Sequence, residues 1–298
     1  MSSIDKLYIS LIENIIENGE WEKTINRTGI QTKFIIGNYW EIPVNEYFPI
    51  IQSKKVAWQS AIAEMVCFIR GYSNAADFRR MGCKVWDQNA NENQKWLNNP
   101  FRLGTDDLGR VYGVQWRNWQ NPIGENYDQF KKVIDDLSNG IDDRREIVTS
   151  WNPGELNQMA LPPCHFTMIF SLRDSGETVD LFMSQRSVDC GLGLPFNLVQ
   201  YGFLLNLVAK ITNKKVGVFR YYMNNVHVYA NHIDKLYSQI NEYYSNERYY
   251  ELNKPQMFFN SVFCDSLNFV ETTDQPIKNW CRLVDYAPTN QIKMEMAV

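Results

Sequence analysis

The sequence predicts a mixed α/β protein built on one core, and three observations carry that expectation. Apolar residues recur at helical spacing at the start of the chain, near residue 60 and near residue 200. β-rich runs stand between those segments, and no linker or shift of composition divides the 298 residues, so a single domain over 1–298 is expected. With 44% hydrophobic and 14% aromatic residues, the chain has apolar surface for a sizeable core and too much of it for disorder.

Taken in order, Ser3 is placed to cap a helix in which Ile4, Leu7, Tyr8, Leu11 and Ile15 share a face that packs on a sheet, with Gly19 as its stop. Asn26-Arg27-Thr28-Gly29 reads as a turn before the β-rich Lys33–Ile36, and on spacing alone Arg27 is a solvated loop arginine. Ala57 to Gly71 forms a second helix, with Trp58, Ala61, Ile62, Met65, Phe68 and Ile69 as a broad apolar stripe. Glu64 lies at the edge of that stripe, where a carboxylate ordinarily snorkels or finds a cation.

Between Asp87 and Asp107 the composition turns to Asn, Asp, Gly and Pro, which predicts a long surface loop. The glycines at 109 and 113 then predict close backbone approach around Tyr112, itself read as a packed aromatic. Arg144 and Arg145 precede the β-like Glu146–Trp151 and read as solvated charges at a loop-to-strand edge. Phe166–Leu172 and Thr178–Ser184 flank the turn signal Arg173-Asp174-Ser175-Gly176 and predict a hairpin. Leu198–Lys210 follows as a helix with an apolar face, and Val216–Tyr222 as a strand.

Composition also narrows function. A net charge of -4 lacks the basic footprint of a dedicated nucleic-acid binder. The longest apolar segment, Phe196 to Ile211, is interrupted by Asn197, Gln200, Asn206 and Lys210, so no membrane span is expected and the cytoplasm is the expected location. The cysteines at 67, 83, 164, 190, 264 and 281 show no paired spacing and read as reduced thiols. His227 and His232 stand five apart, which does not suit the helical zinc motif, and no metal is expected.

The chemistry concentrates between Ala160 and Asn197. Pro162-Pro163 restricts the backbone just before Cys164-His165, a rigid way to present a thiol. Gln185-Arg186-Ser187-Val188-Asp189 and Leu192-Gly193-Leu194-Pro195-Phe196-Asn197 then collect a cation, a hydroxyl, a carboxylate, glycines and an amide, a set suited to gripping a small polar ligand beside a nucleophile.

These motifs, with His227-Val228-Tyr229 and the closing Lys293-Met294-Glu295-Met296-Ala297-Val298, resemble the thymidylate synthase family nearly end to end. The resemblance implies a homodimer in which each subunit packs a large mixed sheet against its partner's and the active site is shared. It implies methylation of dUMP to dTMP, with 5,10-methylenetetrahydrofolate as co-substrate and reductant and dihydrofolate as the second product. A hydroxymethylase of the same fold and an inactive nucleotide-binding homologue are the alternatives. Uracil carbon 5 is a poor nucleophile, so a thiolate, matched by Cys164, adds at carbon 6 and makes an enolate that attacks the one-carbon donor.

By the same match, Arg27, Arg186 and Ser187 hold the nucleotide phosphate, with Arg144 and Arg145 reaching across from the other subunit, since a dianion rewards forked, charge-assisted donors. Asn197 is matched to reading the pyrimidine edge, and His227 and Tyr229 to the deoxyribose hydroxyl. Glu64, Tyr112, His165 and Asp189 correspond to a polar network that moves protons and engages the folate. Trp86, Asn89, Leu161, Gly193, Phe196 and Ala297 match the folate wall, and Lys54 and Lys55 a site for its tail; residues 292–298 would form a lid. Three sites depart from the family pattern, as the resemblance implies: Ser184 for a common tyrosine and Ala57 for a frequent histidine, both expected at the pocket's periphery, and the pair Cys190-Gly191 for bulkier apolar residues.

Overall fold

The computed structural model describes residues 3–296 apart from 25, 27, 264 and 290. Its largest sheet is built from β1 (Glu20–Trp21), β2 (Thr32–Pro43), β3 (Ile147–Thr149), β4 (His165–Arg173), β5 (Thr178–Asp189) and β6 (Lys215–Tyr229). They lie in the order β1-β2-β6-β5-β4-β3, antiparallel throughout except for the parallel pair β5 and β6. Joining parallel neighbours requires a crossover. The helix α4 (Gly193–Ile211) supplies it.

Alternation divides the sheet into two unlike faces. Trp40, Tyr221, Met183, Met168 and Val148 form one row across five strands, all nearly or fully buried. One step along, Tyr39, Tyr222, Ser184, Thr167 and Thr149 form a row on the opposite face, where Tyr39 is 47% and Tyr222 40% exposed. The helices α1 (Ser3–Asn18), α2 (Trp58–Ile69), α3 (Tyr112–Arg117), α4 and α5 (Ile233–Ser245) contribute to the buried core. As expected, α1 packs against β2 and β6; Ile4, Tyr8 and Ile15 are fully buried, while Leu7 is partly exposed. The side chain of Ser3, expected as its cap, lies outside the described residues.

The hairpin of β4 and β5 forms at the expected turn, where Asp174, Ser175 and Gly176 all take positive φ. Both glycines flanking Tyr112 are crowded as expected. A Cβ at Gly109 would stand 2.1 Å from the carbonyl oxygen of Gln158, and one at Gly113 would stand 2.4 Å from that of Phe68. Only hydrogen fits at such separations.

Three expectations need correction. The stretch 87–107 contains the short helices Asp87–Asn91 and Gln94–Leu97, and Trp96 is buried with its indole N–H donating to the Asp107 carbonyl at 2.7 Å. Its Asn- and Asp-rich composition satisfies turns around that anchor instead of marking an open loop: Asn91 Nδ2 donates to Asp106, which also pairs with Arg79. Helix α4 begins at Gly193, five residues before the expected start, because Pro195 falls in the first turn, where a missing N–H costs no helical bond. That helix is buried on all sides, not along one face: 78% of its apolar window lies inside the protein, so a segment long and apolar enough to cross a membrane is here a core helix. Finally, β2, β5 and β6 run well beyond the expected strands. Gly37, at φ 80°, bends β2 without shifting its register.

Candidate active site

Strand register places the predicted residues side by side at one end of the sheet. Asp189 pairs with His227, Ser187 with Asn225, His165 with Gln185, and Phe34 with His227 on the far side. Cys164 stands one residue before β4, its carbonyl accepting from Arg186 N–H at 2.9 Å and its own N–H donating to Tyr112 Oη at 2.8 Å. The two prolines restrain more than the thiol. Arg186 Nε donates to the Pro163 carbonyl at 2.9 Å and Nη2 to the Pro162 carbonyl at 3.1 Å, while its guanidinium lies 5.5 Å from the Trp151 ring. Thiol and guanidinium are thus fixed by the same dipeptide.

Cys164 sits where two chambers meet. The larger, about 740 Å³, is the more polar of the two and bears Arg186, Ser187, Asn225, His227, Tyr229, Asn26 and Thr28. The smaller, about 320 Å³, has more apolar walls, with Trp86, Leu161, Leu192 and Phe196, and it carries Glu64, Asn89, Tyr112, His165, Asp189, Gly193 and Asn197. Leu161, Cys164 and Ser187 line both.

Glu64 departs from the ordinary behaviour of an isolated carboxylate. No cation faces it among the described residues; Trp86 Nε1–H donates to one oxygen and Gln200 Nε2–H to the other, each at 2.7 Å. Burial outweighs these two bonds and pushes its carboxyl up to about 7. A buried amide chain continues from there: Asn197 Nδ2 donates to Gln200 Oε1 at 2.9 Å, Gln185 Nε2 donates to Asn197 Oδ1 at 3.1 Å, and the Tyr221 hydroxyl donates to Gln185 Oε1. An ionised carboxylate only accepts, so Gln200 must turn its NH₂ toward Glu64, and each amide behind it follows. Glu64 therefore sets which way Asn197 points. Asn197 keeps one N–H and one lone pair for the chamber it lines.

His165 is buried between Tyr112, stacked at a centroid distance of 4.4 Å, and Tyr201, whose hydroxyl lies 2.7 Å from Nδ1. Burial pushes its imidazole down to about 3, so the ring is neutral at physiological pH. Tyr112 is packed, as expected, and burial holds its phenol well above the usual range, so its hydroxyl is a hydrogen-bonding group and not a phenolate. His227 is lowered by burial against the opposing charge of Asp189.

Other predicted residues fall elsewhere. Arg144, at φ 71°, and Arg145, paired with Asp143 at 2.7 Å, stand exposed before β3, and neither chamber of this chain is lined by them. Arg27, Ala297 and Cys264 lie outside the described residues; the other five cysteines are thiols. Lys54 turns inward to the Gly191 carbonyl, and burial lowers its ammonium to about 8, so it is no surface cation. Ser184 belongs to the open sheet face and not to the pocket's periphery. Gln185, Gln200, Tyr201 and Tyr221 complete the site without having been expected there from sequence. A signal was available for Gln200: an amide within a helix buried all round needs a partner.

A thiol held by backbone stands at the junction of a more polar chamber and a carboxylate-bearing apolar one, an arrangement suited to an enzyme of small substrates. The sequence profile of the family described as thymidylate synthase matches residues 6–298. Proteins named thymidylate synthase from Idiomarina loihiensis and Psychromonas ingrahamii are 51% identical over 230 residues and 49% over 229, covering 77% and 76% of this chain and 80% of each relative. One from Vibrio cholerae is 46% identical over 230 residues, 77% of this chain and 80% of the relative. The chain belongs to the thymidylate synthase family, and its class is that of the methyltransferases.

Proposed function

We propose that this protein methylates dUMP to dTMP with 5,10-methylenetetrahydrofolate and releases dihydrofolate. The observation that carries the proposal is the position of Cys164 at the meeting of two chambers of unequal polarity. A nucleotide monophosphate suits the polar chamber, with its dianion at Arg186 and Ser187 and its sugar hydroxyl at His227 and Tyr229. The apolar chamber suits the flat ring of a folate against Trp86, Leu161 and Phe196, with Asp189 and Asn89 accepting or donating at its polar edge.

In this reading the Cys164 thiolate bonds to uracil C6 and pushes an electron pair toward O4. Asn197 meets O4 and N3 with the one donor and one acceptor its amide chain leaves open. The folate, when bound, supplies the carbon unit and the hydride. Glu64, near 7, holds or releases a proton at the pyrimidine edge, matched to working pH. Neutral His165 and Tyr112 orient the thiol's neighbourhood. Proton loss from C5 and expulsion of the Cys164 sulfur close the cycle.

The exposed sheet face with Tyr39, Tyr222 and Ile36 supports a homodimer built sheet to sheet, in which Arg144 and Arg145 reach the partner's polar chamber. One catalytic domain over 1–298 acting in the cytoplasm without a metal completes the proposal. Tritium release from C5 of dUMP in step with dihydrofolate appearance by absorbance tests it. Tritium release with 5-hydroxymethyl-dUMP instead would assign a hydroxymethylase, and no release at all an inactive homologue.

A further inference from the structure

His232 is fully buried, and its Nε2 lies 2.8 Å from the backbone carbonyl oxygen of Glu295. A carbonyl only accepts, so Nε2 carries a hydrogen, and Nδ1 is left as a buried nitrogen without a partner. Opposite that nitrogen lies Gly191. A Cβ there would stand 2.6 Å from Nδ1 and 3.2 Å from Met294 Sδ, so any side chain would displace the ring or the tail.

The same imidazole packs against one wall of the polar chamber. Its ring stands edge-on to Tyr229 at 5.7 Å, and Tyr229 stands edge-on to His227 at 5.4 Å; both line the polar chamber. Gly191 is itself held at both ends, its N–H donating to Asp189 Oδ1 at 2.8 Å and its carbonyl accepting from Lys54. One residue beyond the latched carbonyl, Met296 lines the apolar chamber.

We propose that His232 is a positioning residue that latches the tail through Glu295 and so sets where Met296 closes the folate chamber, and that Gly191 provides the space in which the latch ring sits. The proposal rests on the dUMP and folate reading above. Its effect is specific to one substrate: loss of the latch weakens closure over the folate while leaving nucleotide contacts in place.

The test uses the full chain with His232→Ala, His232→Gln, Gly191→Ala and the Gly191→Ala/His232→Ala pair. Removing one hydrogen bond of ordinary net strength predicts a rise of about three- to tenfold in KM for methylenetetrahydrofolate in His232→Ala. KM for dUMP should stay within about twofold, the resolution at which a few tenths of a kcal/mol matter. Tritium release should outrun dihydrofolate formation, because a loosened lid admits water. Glutamine keeps an N–H donor and should restore coupling. Gly191→Ala should reproduce the defect by displacing the ring, and should add nothing once the ring is gone. Unchanged folate KM and coupling in His232→Ala overturn the proposal, as does an equal rise in both KM values without rescue by glutamine; should His232→Ala not fold, normal coupling in Gly191→Ala overturns it. A wild-type chain that releases no tritium would instead sink the parent reading, distinguishable because the variants are scored only against an active, coupled wild type.

Discussion

Replacing Glu64 with glutamine removes the one group that both titrates in the site and orients its amides. Folding raises this carboxyl from 4.5 to about 7. That span of roughly 2.5 pH units, at about 1.4 kcal/mol each, corresponds to about 3 kcal/mol, of which about 2 kcal/mol falls between pH 5 and pH 8 because the unfolded carboxyl begins to titrate below pH 5. The sign follows from the direction. A group whose affinity for a proton rises on folding contributes stability that is fully present below 4.5 and is lost as pH climbs through about 7. Wild type should therefore lose about 2 kcal/mol relative to Glu64→Gln between pH 5 and pH 8. Urea denaturation of both proteins at four pH values and one fixed concentration reads this directly. The raised carboxyl of Asp5 and the lowered ammonium of Lys54 are common to both chains and cancel in the difference. Parallel stability curves would refute the reasoning, since they would mean that Glu64 titrates at its ordinary value. Turnover should fall as well: a glutamine amide facing Gln200 forces that residue, Asn197 and Gln185 to reverse in turn.

Cys164→Ser should fold, bind dUMP by calorimetry and lose nearly all turnover; turnover comparable to wild type would remove the thiol from the mechanism. Mixing Arg145→Ala with Cys164→Ser should restore activity, because one site of each heterodimer is then intact; confirmed subunit exchange without activity would show that the arginine serves its own chain or none. Asn197→Asp should shift the ratio of kcat/KM values from dUMP toward dCMP and move the optimum to lower pH, since its carboxylate faces the Gln200 oxygen that Asn197 Nδ2 now satisfies. An unchanged ratio would place base selection elsewhere.

The parts of this protein that were legible in the sequence are those whose cause is local. Turn chemistry at 173–176 announces the hairpin, crowding at Gly109 and Gly113 announces a close approach, and two prolines before a cysteine announce a held thiol. What was not legible depends on partners far along the chain. The parallel register of β5 with β6 has no local signature, and with it went the placement of Ser184 on the open face. Glu64 and Gln200 are 136 residues apart, so a carboxylate at the edge of an apolar stripe could be weighed only by its usual habits. The Asn- and Asp-rich stretch near residue 95 misled because a single buried tryptophan outweighs the polarity of its neighbours.

The central helix shows what this arrangement permits by way of change. Its first two turns carry Phe196 and Asn197 into the apolar chamber and Gln200 into the amide chain, and the remainder is enclosed by sheet and neighbouring helices. A cavity opened further down, as by Leu204→Ala, would cost about 2–5 kcal/mol and let the whole rod shift, so a change far from any ligand would be felt in base selection. Drift in such a site is coupled to drift in the interior. A single exchange within the Gln185–Asn197–Gln200 chain leaves a neighbour's donor or acceptor mismatched, so retuning the base-reading edge without loss of stability calls for a second, compensating exchange in the same chain.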